Sequence, residues 1–181
     1  MDPGFRRKKI RLPAHEYVGR KHYFITRCCE KRQKLLQGQL AEWVRWGLFK
    51  VSEQEGFAIH AYCVMPDHLH FLAEGKSEKS NLLHFVWGFK HHTAKAYERK
   101  TRERLWQRKF YDHILRRGDS IDSVAWYIWM NPVRQGICAT VQEYPFSGSL
   151  TIEKPSTSPA LRWTPPWRRN VGSHTARPAA T

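Results

Sequence analysis

Cysteine is scarce in this sequence. The four present, Cys28, Cys29, Cys63 and Cys138, include no Cys-x-x-Cys pair, which argues against thiolate zinc modules and reads as reduced thiols of a cytosolic protein. Long apolar runs are missing too: no stretch approaches the roughly 18 residues of a membrane span, and the basic residues 1–11 have no apolar signal core. Nothing in the chain therefore directs it out of the cytoplasm. No internal repeat is present. Acidic residues are outnumbered, with 16 Asp and Glu against 31 Lys and Arg and a net charge of +15. Together with eight Trp, that imbalance points to a polyanionic partner, of which nucleic acid is the commonest, with flat rings available to stack on unpaired bases.

Enough apolar residues are present, 41% of 181, for one domain with its own core. Residues 1–20 form a basic arm carrying Arg6, Arg7, Lys8, Lys9 and Arg11, which can contact phosphates. From His22 to Cys28 the aromatic and β-branched residues suit a strand. Leu40, Val44, Leu48 and Val51 mark an amphipathic helix over 39–54, with Gly56 as its stop. Two strands, 57–64 and 69–73, follow around the Pro66-Asp67 turn. Ser80-Asn81 caps a second helix running to about residue 99, whose outer side bears Lys90, His91, His92, Lys95 and Arg99. A strand is expected over 105–115 and a helix over 120–130, ended or bent at Asn131-Pro132. This order predicts an α+β fold, the βαββαβ ferredoxin-like sandwich, with an antiparallel sheet, helices on one face and one extra C-terminal helix. Beyond Ser147 the chain turns rich in Pro, Ser, Thr and Arg, so 148–181 reads as a mostly irregular tail that Trp163 and Trp167 could pin to the domain.

Chemistry concentrates in His68-Leu69-His70. On a strand the two imidazoles point to one face and can share a cation, but two histidines fall short of the three or four ligands a metal site usually needs. Tyr127 and Asn131 lie four apart on one helical face. From spacing alone they read as a boundary aromatic and a helix-terminating residue before proline rather than as a site. A tyrosine hydroxyl, with its pKa of about 10, becomes a useful nucleophile when a divalent cation polarises the phosphate it attacks.

The string Tyr62-Cys63-Val64-Met65-Pro66-Asp67-His68-Leu69-His70-Phe71-Leu72 resembles the signature of single-tyrosine HUH transposases, the IS200-like insertion-sequence family. Residues 106–113 and 127–134 resemble two later blocks of its branch associated with repetitive extragenic palindromes (REP), and the blocks together run from about residue 17 to 150. The resemblance implies a catalytic domain over 21–147 acting on single-stranded DNA with a hairpin, as a monomer or homodimer associated with the bacterial nucleoid. It implies Mg²⁺ or Mn²⁺ bound by His68 and His70, with Asn131 where the family places a polar third ligand, often glutamine. It also implies that Tyr127 attacks the scissile phosphate to leave a 5′-phosphotyrosine and a free 3′-OH, with Tyr111 as the rival nucleophile. Lys90, Lys95 and Arg99 are expected to hold the hairpin and the N-terminal arm to read bases beside its foot. The alternatives are a non-catalytic binder of structured nucleic acid and a hydrolase of small phosphoesters, the latter at odds with the charge.

Overall fold

A computed structural model describes residues 13–160 and 162–165. Arg6, Arg7, Lys8, Lys9, Arg11 and Trp167 lie outside the described residues. Five strands form one sheet in the order β4-β1-β3-β2-β5: β1 (His22–Cys28), β2 (Phe57–Met65), β3 (His68–Gly75), β4 (Tyr111–Ile114) and the two-residue β5 (Ser147–Gly148). Every adjacent pair is antiparallel, so β1 and β2 run parallel to each other with β3 between them. Among the described residues, no helix is long and apolar enough to cross a membrane.

Alternation along each strand sends side chains to two separate cores. In β3, Leu69, Phe71 and Ala73 join the core under α1 (Gly38–Gln54) and α2 (Leu82–Thr101), whereas Leu72 joins the one under α3 (Ile121–Trp129). α1 buries Ala41, Val44, Leu48 and Val51, an apolar stripe at steps of three and four. It stops at Gly56, whose φ of +69° is the left-handed conformation that glycine adopts at little cost. α2 starts where the Asn81 side chain accepts hydrogen bonds from the backbone of Leu83 and His84, satisfying two otherwise orphaned donors. α3 is capped in the same manner by Ser120, which accepts from Ser123 N. A four-residue turn of helix, α4 (Asn131–Arg134), follows with Pro132 in its first turn, where proline's missing N–H costs nothing.

The last long strand is shorter than the sequence suggests. Residues 105–110 make no ladder: Leu105 and Trp106 are consecutive yet both enter the α1/α2 core, whereas strand alternation would send them to opposite faces. The Trp106 indole N–H instead donates to Thr93 Oγ1 on α2 at 2.9 Å. This stretch crosses the chain just after β1, through Glu30 N to Leu105 O and Gln107 N to Cys28 O. Regular pairing begins at Tyr111, opposite Thr26.

Candidate active site

The ends of β1 and β3, the start of β4 and the α3–α4 turn enclose a cleft of about 330 Å³. It is lined by His68, His70, Tyr111, Tyr127, Asn131 and Gln135, with Thr26, Cys28 and Arg32 at its margin. The two imidazoles stand on the α3 side of the sheet because β3 alternates, and the β1–β3 register sets Thr26 opposite His70. Their Nε2 atoms converge to 3.0 Å. Each outer nitrogen is held: His68 Nδ1 donates to Asp67 Oδ1 at 2.5 Å, and His70 Nδ1 meets Thr26 Oγ1 at 2.8 Å. Arg32 lies 3.3 Å from the other oxygen of Asp67.

Electrostatics favours neutral rings. Burial lowers the pKa of His68 against the opposing pull of Asp67. It lowers that of His70 further, helped by His68, Arg134 and Arg32. Neutral imidazoles with anchored Nδ1 atoms offer Nε2 lone pairs, the form in which histidine binds metal. Ligands about 2.1 Å from one ion and at right angles are separated by about 3.0 Å, and the Nε2–Nε2 distance matches that value. The pair therefore fits a divalent cation.

α3 and α4 supply the opposite wall. Tyr127 is 8% exposed, with its ring 6.3 Å from that of His70. The Arg134 guanidinium lies 4.3 Å over the Tyr127 ring and also donates to the Tyr127 carbonyl at 2.8 Å. Asn131 donates through Nδ2 to the carbonyls of Tyr127 and Ile128, both at 3.1 Å, so a cation would be met by its Oδ1. Tyr111 shares this cleft despite its place on a strand; burial, aided by Asp112, pushes its phenol up to about 12. Part of the tail packs beside the site. Trp163 packs edge-on against Tyr127 at 5.1 Å and tilted against Phe24 at 5.0 Å, and its indole N–H donates to Asp119 at 2.9 Å.

Lys90, Lys95 and Arg99 lie elsewhere, in a groove of about 570 Å³ along the outer side of α2, with Arg102, Arg104 and Arg108. Burial and the neighbouring Arg27, Arg104 and Arg108 depress the Lys90 ammonium, a mark of crowded positive charge. Trp87, 69% exposed, stacks flat on His91 at this groove with rings 9° apart. His92 turns the other way, between Trp43 and Trp46 of α1.

Thr26, Cys28, Arg32 and Gln135 line the cleft without having been singled out as site residues in the sequence, and neither was Asp67 behind His68. Asp67 was visible only as part of a turn, although a carboxylate directly before a candidate ligand is a natural partner for it. Gln135 repeats the four-residue step that joins Tyr127 to Asn131, and extending that step through Pro132 would have found it. Thr26 meets His70 through strand register, for which no local signal exists.

A family model described as "Transposase IS200 like" matches residues 17–131. An Escherichia coli K12 protein named REP-associated tyrosine transposase is 29% identical over 128 residues, covering 69% of this chain and 73% of the relative. A Haemophilus influenzae relative is 25% identical over 136 residues, covering 69% and 77%. The solved structure of a REP-associated tyrosine transposase bound to a REP hairpin superposes with a TM-score of 0.63 at 25% identity, covering 81% of this chain and 82% of that one.

Proposed function

The chain belongs to the IS200-like transposase family, and from that premise we propose that it cleaves and rejoins single-stranded DNA at hairpins, through a covalent tyrosyl intermediate and with a divalent cation. The observation that carries the reading is the convergence of two neutral imidazoles, two phenols and two amides in one cleft. We read the fold as a ferredoxin-like sandwich, a reading the antiparallel five-stranded sheet supports, with residues 21–147 as the catalytic unit and the tail packed against it. His68 and His70 would hold Mg²⁺ or Mn²⁺ with the Asn131 amide, and Gln135 stands where it could add a fourth donor. A bound cation supplies charge stabilisation at the scissile phosphate.

Each remaining step belongs to the protein. Tyr127 Oη attacks phosphorus, the P–O3′ bond breaks, the proton lost by the phenol is balanced by one taken up at the leaving 3′-oxygen, and the products are a 5′-phosphotyrosine and a 3′-OH. Attack by that 3′-OH reverses the step and joins strands. Arg134, stacked on the Tyr127 ring, is positioned to offset charge on the phosphate. The basic groove of α2 takes the hairpin backbone, and the arm reads bases beside it. Tyr127 and His70 come together within one chain, which supports a site completed by a single subunit, whether the protein works as a monomer or a homodimer. The working compartment is the bacterial cytoplasm, where the DNA is.

The test is a denaturing gel of single-stranded hairpin oligonucleotides incubated with wild type, Tyr127→Phe and Tyr111→Phe, in Mn²⁺ and in chelator. A metal-dependent covalent protein–DNA band is expected for wild type and Tyr111→Phe and not for Tyr127→Phe. Loss of the band in Tyr111→Phe alone would transfer the nucleophile to Tyr111. Tight hairpin binding with no band in any condition would leave a nucleic-acid binder instead.

A further inference from the structure

A second group of ligand-type side chains lies on the same sheet face at the other end of β3. His22 Nε2, His60 Nε2 and Glu74 Oε2 come from three neighbouring strands, and the cluster is the group of three metal-binding residue types found among the described residues. His60 Nε2 is 2.9 Å and His22 Nε2 3.5 Å from the same carboxylate oxygen. Tetrahedral ligands about 2.0–2.1 Å from an ion are separated by roughly 3.3–3.4 Å, which falls between these two distances.

The backbone is built to bring them together. β2 pairs with β3 through Ile59↔Ala73 and then Ala61↔Leu72, so His60 is the extra residue of a β-bulge. Ile59 faces the α1/α2 core and Ala61 the α3 core. The inserted residue brings His60 over Glu74, whose partner across β1 is His22. Bulges that re-aim a side chain in this way are features rather than defects. His60 is fixed further by Thr151, whose hydroxyl meets its Nδ1 at 2.7 Å. That hydroxyl is also 3.5 Å from the Ile59 carbonyl, in donor geometry. The Thr151 contacts thus hold the His60 ring with Nε2 aimed at the Glu74 carboxylate, 2.9 Å away.

We propose that His22, His60 and Glu74 bind a zinc-class divalent ion at a site separate from the catalytic cleft. Two nitrogens and a carboxylate oxygen suit a borderline-soft metal rather than Mg²⁺. Glu74 is four residues from His70, about 13 Å along the strand, so the two sites cannot share one ion. The ion ties β1, β2 and β3 together where Thr151 anchors the start of the tail.

Equilibrium dialysis against buffered Zn²⁺, with bound metal counted, tests this on the full chain. The variant H68A/H70A, which removes the cleft imidazoles, should retain one zinc, and its melting temperature should rise with the logarithm of free zinc. Adding H60Q/E74Q should abolish both the binding and the shift. Should that quadruple variant fold poorly, H68A/H70A/H22Q changes a more exposed ligand and should bind zinc at least tenfold more weakly. A folded H68A/H70A that binds no zinc overturns the site. So does unchanged zinc affinity in a folded variant lacking His22, or lacking His60 and Glu74.

Discussion

The two faces of the sheet use the same strands for opposite ends. Toward α1 and α2, Tyr23, Ile25, Leu69, Phe71 and Ala73 are buried with no measurable exposure, against Phe85 and Phe89. Toward α3, the residues between them on β1 and β3 are Thr26, His68 and His70 at one end and His22 and Glu74 at the other, with Phe24 and Leu72 in the middle. A strand can do this because its period is two: each position given to chemistry is flanked by positions given to the core. The lesson is that the polar face can bury histidines because the opposite face supplies the apolar area that stabilises the sheet. Stability and activity should then separate residue by residue.

The largest separation is expected between adjacent residues. If the proposed reading holds, His70→Ala should reduce adduct formation about 10³-fold or more, because it would remove a ligand of an ion that supplies several kcal/mol at the phosphate. Its effect on folding should be smaller than that of emptying a core position, about 1–3 kcal/mol, since the buried ring gives up Thr26 Oγ1 at Nδ1 and its contact with His68 Nε2. Phe71→Ala should cost about 3–5 kcal/mol of stability by opening a cavity in the α1/α2 core, while the fraction that folds keeps its cleavage rate. Urea unfolding and single-turnover cleavage of both variants read the two quantities. Equal losses of activity per folded molecule would break the division between the faces.

Acid should expose the same asymmetry at a smaller scale. His68 and His70 have folded-state pKa values below the ordinary 6.5, so the unfolded chain binds more protons between the two values. Their contribution to stability is complete above about pH 6.5 and is lost as pH falls toward the folded values, at no more than about 1.4 kcal/mol per pH unit for each ring. Measured in chelator, H68Q/H70Q should lose less stability than wild type between pH 7 and 5, since the other histidines titrate alike in both. Parallel curves would mean that the rings do not bear the burial cost assigned to them.

What the sequence makes legible follows the same division. Apolar periodicity places α1, α2, β1 and the β2–β3 pair within a residue or two, because burial on one face sets the period directly. The same cues overextend β4, since Leu105 and Trp106 are apolar for a reason unrelated to alternation, the filling of the core beside Thr93. On the polar face, His68, His70, Tyr127 and Asn131 stand out through spacing and resemblance. Thr26, His22 and Glu74 do not, because their partners are fixed by register, and His60 joins its partners only through a bulge. Tyr111 looks remote from Tyr127 in the chain, yet the β1–β4 pairing sets it in the same cleft.

The smallest effect is expected from a charge that belongs to neither face of the sheet. Lys95 is exposed in the groove on the outer side of α2, among Lys90, Arg99 and Arg102. In the proposed function it meets the DNA backbone, so its loss should act on encounter and hold rather than on bond breaking. Lys95→Ala should weaken hairpin binding a few-fold at moderate salt and lower the slope of log affinity against log salt by about 0.9, the share of one duplex phosphate contact. The rate of adduct formation at saturating DNA should not move, because the cleft and its imidazoles are untouched. Fluorescence anisotropy over a salt series, paired with single-turnover cleavage, separates these quantities. An unchanged salt slope would remove the groove from the DNA path, and a fall in the saturated rate would show that α2 reaches the chemistry through the sheet it covers.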